Sequence, residues 1–600
     1  MDIWTVLLVA LVVYWAGVAW ARSSGLLPSW VSATGPVLTL HTKRGKRFLD
    51  WAATPKRAWR AWGNFGLGIT AVVLVSVLFV LLLSAVSTLA NPPEPSAVNE
   101  PQNTLIIPGF NEFLPASVAP EIVLGLFVGM VVHEFGHGLM SRVEDIEVES
   151  MGAVLLAILP IGAFVEPNQE SQKEKSRGAQ ARMFAAGVTN NFLVVVLAFG
   201  LLFGPVAGAI AVADGGLVGA VYDDSAAAEA GISGGDRIVS VGGEAVENNT
   251  EFQRALGETG DRSVSVTLAN GDQVDVDRRL LVVGNSSESP LAAIERGDTI
   301  TEVNGTAVHT EAGLRDAIEN NTVATFTTEG GKSVTGPAGA FVTVAPNSPA
   351  AASGLPAEAT AVIVSVDGER VTGREDLQTV LDARAPGETV SVVAYFDGER
   401  QTYEVELGTQ PDGSSYFGVG IAPGVSGLTV SGFGANLYPA EQFLTMVSGD
   451  ATGSDYLSAV FGSGGGPVVG FIQAIVGGLY LPLIGLLDPS IGFNFPGFTG
   501  VNTSFYVVEG VLGALPAGVV FVFANVLLWT AWINLNLGFF NCIPAFPLDG
   551  GHLLRTGAEA VTSRLPVDNQ QAFIRAITTS IGLLMLASLV LMLFGPELLN

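Results

Sequence analysis

A single cysteine, Cys542, occurs in 600 residues, so the chain forms no intrachain disulfide and cysteine usage reveals no redox compartment. Charge is scarce too, at 14% of residues against 49% hydrophobic. That balance excludes an ordinary soluble globular protein and points to a membrane protein. Basic side chains are the scarcer sign, 28 against 56 acidic, for a net charge of −28. Such a balance argues against nucleic acid as a partner and against an anionic lipid surface as a target of the soluble part. Histidine is rarer still, with five copies. Each of them can therefore be weighed by its position.

Long apolar runs are plentiful. Stretches near the ~20 residues that cross a bilayer lie at 3–20, 65–90, 119–140, 184–213, 511–540 and 573–595. Asp2 is the only charge before the first run, which is long for a signal peptide and reads as a retained anchor. Lys43, Arg44, Lys46, Arg47, Lys56, Arg57 and Arg60 crowd the loop after it, and Lys173, Lys175, Arg177 and Arg182 crowd the segment between the third and fourth runs. Arg555, Arg564 and Arg575 precede the last run. The positive-inside rule places these three segments in the cytoplasm and the loop 91–118 and the block 215–425 outside.

Residues 215–425 hold 32 acidic and 12 basic side chains, a composition that suits a protein dissolved in concentrated salt. This block repeats. Gly235-Asp236-Arg237-Ile238-Val239-Ser240-Val241-Gly242-Gly243 aligns with Gly297-Asp298-Thr299-Ile300-Thr301-Glu302-Val303-Asn304-Gly305 and with Ala361-Val362-Ile363-Val364-Ser365-Val366-Asp367-Gly368. Each turn is followed by an amphipathic helix, at Glu251–Leu256, Glu311–Ile318 and Glu375–Leu381. Strands, a tight Asn-Gly or Asp-Gly turn and one helix make a small α+β module. The pattern resembles the PDZ domains attached to bacterial proteases, which take a peptide as an added strand. The turn glycines recur at about 62 residues, short for a complete domain, so three domains and two with a degenerate copy both fit. Peptide binding and simple shielding of a membrane site also stay open.

Within the third apolar run stands His133-Glu134-Phe135-Gly136-His137. Histidines four apart share one helix face and can grip one metal ion, and the glutamate between them can take a proton from a bound water. A tetrahedral zinc with one water needs a third protein ligand. His41 and His309 lie outside the apolar runs, whereas Asp549 follows one of them. A carboxylate there is costly unless paired or bound to a cation, so Asp549 is the candidate. Gly550-Gly551 would let the backbone turn the carboxylate toward the metal, and His552, one turn on, is the lesser alternative.

His133-Glu134-Phe135-Gly136-His137 together with Asn541-x-x-Pro544-x-x-x-x-Asp549-Gly550 resembles the two signatures of the site-2 protease family of intramembrane zinc metalloproteases. The resemblance implies one zinc on His133, His137 and Asp549, with Glu134 as general base. Ile158–Pro167 is similar to the family's membrane-associated hairpin, whose edge would hold an unwound substrate at Gly162 and Phe164. Ala186-Gly187-Val188-Thr189-Asn190-Asn191 matches the family's Ala-Gly-Pro-x-x-Asn with Val188 in place of proline. Asn191 and Asn541 would contact substrate or orient the ligands.

The expected architecture is a polytopic α-helical membrane protein of about six spans with an inserted extracytoplasmic α+β PDZ-like repeat region. Residues 1–118 form a two-span region, 119–213 and 505–600 the catalytic core, 214–425 the repeats and 426–504 a membrane-associated connector. Gly464-Gly465-Gly466-Pro467 and the apolar stretch after it to residue 487 are expected to make no full crossing, so that Asp549 stays cytoplasmic. The partners implied are single-span membrane protein substrates and the bilayer. A catalytically inactive scaffold that binds peptides through its repeats is the alternative. A metal transporter is a third reading, but it would need further ionisable residues along the spans.

Overall fold

The computed structural model describes residues 3–599 except 94–98, 100–102, 104–105, 112, 158, 411–412, 450–466, 488–490 and 567–568. The expected glycine run 464–466 lies outside the described residues, as does Ile158. Two compact units form, one from Met1–Ala211, Glu441–Thr503 and Val507–Asn600, the other from Val212–Ala440 and Ser504–Tyr506.

The first unit is built on helices α1 (Ile3–Ser23), α2 (Lys56–Ala90), α3 (Ala119–Val143), α4 (Arg177–Leu201), α5 (Pro467–Tyr480), α6 (Ala517–Asn541), α7 (Asp549–Thr562) and α8 (Gln570–Leu599). Among the described residues, six helical stretches are long and apolar enough to cross a membrane: Lys56–Ala90, Ala116–Val143, Arg177–Ala209, Val469–Leu487, Ala517–Asn541 and Gln570–Leu599. Lys56, Arg57 and Arg60 belong to the first turns of α2 rather than to a loop. Their stems extend the helix, and the charges of Lys56 and Arg60 find carboxylates beyond the apolar stretch. Lys56 pairs with Asp145, whose carboxyl its hydrogen bond holds below the usual range. Arg60 and Arg182 share the buried Glu144 at 3.3 and 2.9 Å, tying α2, α3 and α4 at one end.

Helix α3 is the centre of the unit because its small residues let neighbours approach. A Cβ at Gly125 would lie 3.0 Å from the Trp529 carbonyl oxygen of α6, and one at Gly136 would lie 2.6 Å from the Ala186 carbonyl oxygen of α4. Close backbone packing of this kind holds helices together where lipid removes the hydrophobic drive between them. Gly129 meets Leu537 one turn beyond the Gly125–Trp529 contact, so α3 and α6 run in the same direction. Asn190 reaches the Val132 carbonyl and Ala186 meets Gly136, so α4 runs the opposite way.

The segment Ile158–Pro167, expected to form a hairpin by itself, supplies only one arm of it: β4 (Leu159–Pro167) pairs with β3 (Val148–Leu156). Strand β3, together with β1 (Val31–Thr34) and β2 (Val37–His41), which extend the sheet, was not read from the sequence. The order is β1-β2-β3-β4, which leaves β4 at the edge. It packs along α3.

The stretch Val469–Leu487, expected to make no full crossing, is long and apolar enough for one. Its surroundings nevertheless turn it back. The Trp532 indole donates to the Leu479 carbonyl (3.1 Å), the Trp529 indole donates to the Pro496 carbonyl (2.9 Å), and the Asn525 amide brackets the Phe498 backbone at 2.8 and 3.0 Å. The chain thus reaches the depth of Trp532 on α6 and climbs back to Asn525 by Phe498. A return is what the common direction of α3 and α6 requires, since α4 alone already reverses the chain between them.

In the second unit three separate cores each carry one sheet, centred on Val266, Phe326 and Val392. Two turns of the expected kind, Asn304-Gly305 and Asp367-Gly368, have φ of 51° and 78°, and 50° and 82°, the signature of tight hairpins. Helices follow at Asn249–Glu258, Glu311–Glu319 and Arg374–Asp382. Three sheets are complete, and the short repeat period has a physical explanation. Each sheet borrows its last strand from a single return segment. Val419–Ile421 completes the third repeat, Leu428–Ser431 the second and Ala435–Leu437 the first. The chain therefore laces the repeats in reverse order, and the compact unit runs to Ala440.

A glycine precedes each borrowed strand: Gly418, Gly427 and Gly434, all with φ between 81° and 88°. A Cβ at Gly434 would fall 2.2 Å from the Ser225 Cβ. Gly434→Val combines strain with overpacking and is expected to destabilise by about 2–4 kcal/mol, read as a lower unfolding temperature of the full chain. An unchanged transition would remove this glycine from the lacing.

Candidate metal centre

Four segments meet at the centre of the first unit. The C-terminal half of α3 presents His133 and His137 on one face, as a four-residue spacing dictates. Asp549 opens α7, delivered by the loop that follows α6. The His133 Nε2 and Asp549 Oδ2 atoms are 3.1 Å apart, His137 Nε2 and Asp549 Oδ2 3.3 Å, and the two Nε2 atoms 3.1 Å. These three atoms form a nearly equilateral triangle.

That triangle fits zinc. Donors at 2.0–2.1 Å from a tetrahedral ion lie about 3.3 Å from one another. Asp549 Oδ2 is buried and makes no hydrogen bond despite its two imidazole neighbours. An orphaned carboxylate oxygen facing two nitrogen lone pairs is a donor set for a cation. The ring orientations agree. His137 Nδ1–H donates to the Met183 carbonyl at 2.8 Å, which assigns its Nε2 as the lone-pair nitrogen.

Asn191 does the corresponding work for His133. It is fully buried, with its amide 3.4 Å from His133 Nδ1 and its Oδ1 without a partner. Turning the amide, an assignment that nitrogen and oxygen leave open to the hydrogen-bond network, gives His133 Nδ1–H an acceptor. Asn191→Leu is expected to weaken zinc binding about 10- to 100-fold, measured by competition with a chromophoric chelator. Affinity equal to the unaltered protein would show that His133 needs no such support.

Gly187, part of the Ala186–Asn191 match, is a site residue to which the sequence alone assigns no role. A Cβ there would lie 2.6 Å from His137 Nε2 and within 2.9 Å of the His133 ring. Any side chain at this position collides with both histidine rings, so Gly187→Ala is expected to displace the ligands and cut bound zinc sharply while the helices still assemble. Elemental analysis of the purified variant reads this directly; a full complement of zinc would contradict it. Val188, where the resemblance expects proline, is buried in an unbroken α4.

The remaining expected residues sit as follows. Glu134 Oε2 accepts the Val165 backbone N–H of β4 at 2.8 Å. Gly162, on the same strand, faces Met130 of α3, and Phe164 stands edge-on to His41, ring centres 5.2 Å apart. Asn541 ends α6 and donates to the Leu537 carbonyl of its own helix. His552 lies stacked on Phe184 at 4.5 Å and edge-on to Phe546, and is not one of the grouped donors. Cys542 is buried and free. Gly550 and Gly551 are helical, and their role is close approach rather than unusual backbone: a Cβ at Gly550 would lie 2.5 Å from the carbonyl oxygens of Cys542 and Ile543.

The sequence model of Peptidase family M50 matches residues 121–588. The chain is 27% identical over 208 residues to the regulator of sigma-E protease RseP of Escherichia coli, covering 29% of this chain and 45% of that protein. It is 52% identical over 42 residues to the zinc metalloprotease RasP of Oceanobacillus iheyensis, covering 7% of this chain and 10% of that one. The chain spans about half the length of the first curated relatives it matches. Among solved structures, a PDZ domain of an SdrC-like protein from Listeria monocytogenes aligns with 14% of this chain and 86% of its own, at 20% identity and a TM-score of 0.13.

Proposed function

The chain belongs to Peptidase family M50, the site-2 protease family, and from that premise we propose that it is an intramembrane zinc endopeptidase that cuts the transmembrane segments of single-span membrane proteins. The observation that carries the proposal is the donor triangle of His133, His137 and Asp549, set among helices long and apolar enough to span a bilayer. These three residues would hold one zinc per chain, which would supply Lewis-acid chemistry at the scissile carbonyl.

Glu134 is the general base, taking a proton from the attacking water and passing it to the leaving amine. The substrate helix must unwind to expose a carbonyl, because its own hydrogen bonds tie each carbonyl four residues on. The open edge of β4 receives the unwound segment, with Gly162 and Phe164 flanking the edge-facing Ala163, and Asn541 contacts it near the metal. The positive-inside rule puts the metal toward the cytoplasm and the PDZ-like repeats outside. There they screen out substrates with bulky outer domains or dock peptides along a sheet edge. An inactive scaffold would be expected to carry a damaged donor set, whereas this one is complete.

The test is comparative membrane proteomics of cells carrying the active chain or the Glu134→Gln variant. Single-span fragments should accumulate with the variant alone; equal membrane proteomes would overturn the proposal.

A further inference from the structure

The base is held by the backbone of a strand, not by another side chain. Val165 N–H donates to Glu134 Oε2 at 2.8 Å, and because β4 is the outer strand of its sheet this N–H has no strand partner to give up. Val165 itself packs on α3, where a Cβ at Gly138 would meet its methyl groups at 3.2 and 3.3 Å. Strand and helix are therefore in contact one turn beyond Glu134 as well as at it.

We infer that the Val165 N–H is a positioning group for the reaction: it fixes one oxygen of the Glu134 carboxylate and leaves the other for proton transfer. This rests on the endopeptidase reading above. A glutamate has three rotatable bonds, and a base acts only within hydrogen-bond reach of its proton. An N–H aimed at one carboxylate oxygen removes that freedom without adding a competing proton donor that titrates. In an antiparallel ladder a residue's N–H and C=O point to the same side and alternate along the strand. Ala163, two residues back, therefore turns both groups to the same open edge as Val165. A substrate strand added to this edge pairs at Ala163 and finds the Val165 N–H already occupied by the base. The strand that receives the substrate and the group that orients the base are thus one rigid element, and the pairing register is set relative to Glu134.

The experiment measures cleavage of a single-span polypeptide in liposomes, with kcat and KM separated, beside zinc content. Proline is tolerated where an edge-strand N–H points away from the ladder, so Val165→Pro removes the donor with least damage. Replacing Val165 by its α-hydroxy acid through nonsense suppression removes only the N–H and covers the case in which the proline variant misfolds. Val165→Thr keeps the N–H and serves as the control. The expected result is a fall in kcat of about 10- to 100-fold in the proline and ester variants, the worth of one hydrogen bond to a charged group. KM and zinc content stay as in the parent, and Val165→Thr, which keeps the N–H, loses far less kcat than the ester variant. A parental kcat in the ester variant, or a loss confined to KM, overturns the inference. An unaltered protein that cleaves nothing would instead sink the endopeptidase reading.

Discussion

Glu134→Gln should retain zinc and lose at least about 100-fold in cleavage of a transmembrane substrate, the lower range of what a placed general base contributes. The expectation follows from what the substitution leaves intact. Glutamine keeps the length of the side chain and an oxygen that can accept from Val165 N–H, so α3 and β4 stay joined. Glu134 is no part of the donor triangle, so the ion has no reason to leave. What disappears is the ability to take a proton. Zinc analysis and single-turnover cleavage on one preparation decide the matter, and parental cleavage with zinc bound would place the base elsewhere. Loss of zinc would show that the glutamate is needed to build the site.

Much of this was legible in the sequence, and for definite reasons. His133 and His137 declared themselves because a four-residue spacing on an apolar helix allows one geometry. Asp549 declared itself because a carboxylate beside a membrane span needs a cation or a partner. The PDZ-like repeats showed through their turns, where Asn304-Gly305 and Asp367-Gly368 adopt the expected positive φ values. What escaped notice had no side chain to announce it. Gly187 acts by having none, and Met183 and Val165 act through backbone atoms that any residue could supply. The return strands escaped because Val419–Ile421 and Ala435–Leu437 are three residues long, too short for a periodicity. Gly418, Gly427 and Gly434, each just before a borrowed strand, were the available sign. For Val469–Leu487 the expectation of no full crossing came from the charge pattern, whereas the indole and amide contacts that α6 makes around it are not recorded in hydropathy.

Asp549→Ala should release zinc and abolish cleavage together, a different signature from Glu134→Gln. Two imidazoles alone give the ion two protein donors in place of three. Losing a residue that merely orients a ligand costs about 10- to 100-fold in affinity, so loss of a ligand should exceed that. The surroundings cannot supply a substitute. His552, the nearest other histidine along the chain, is held between Phe184 and Phe546, and the sulfur of Cys542 lies outside the set of grouped donors. Asp549→Ala is also expected to leave the loop in place. Gly550 and Gly551 pack against the backbone of Cys542, Ile543 and Ala545, and that contact does not involve the carboxylate. Chelator competition on purified Asp549→Ala, with helix content by circular dichroism as the fold control, separates the outcomes. Folded protein without zinc identifies Asp549 as the third ligand. Folded protein with one tightly bound zinc would mean that the triangle is an ordinary buried polar cluster and the ion sits elsewhere.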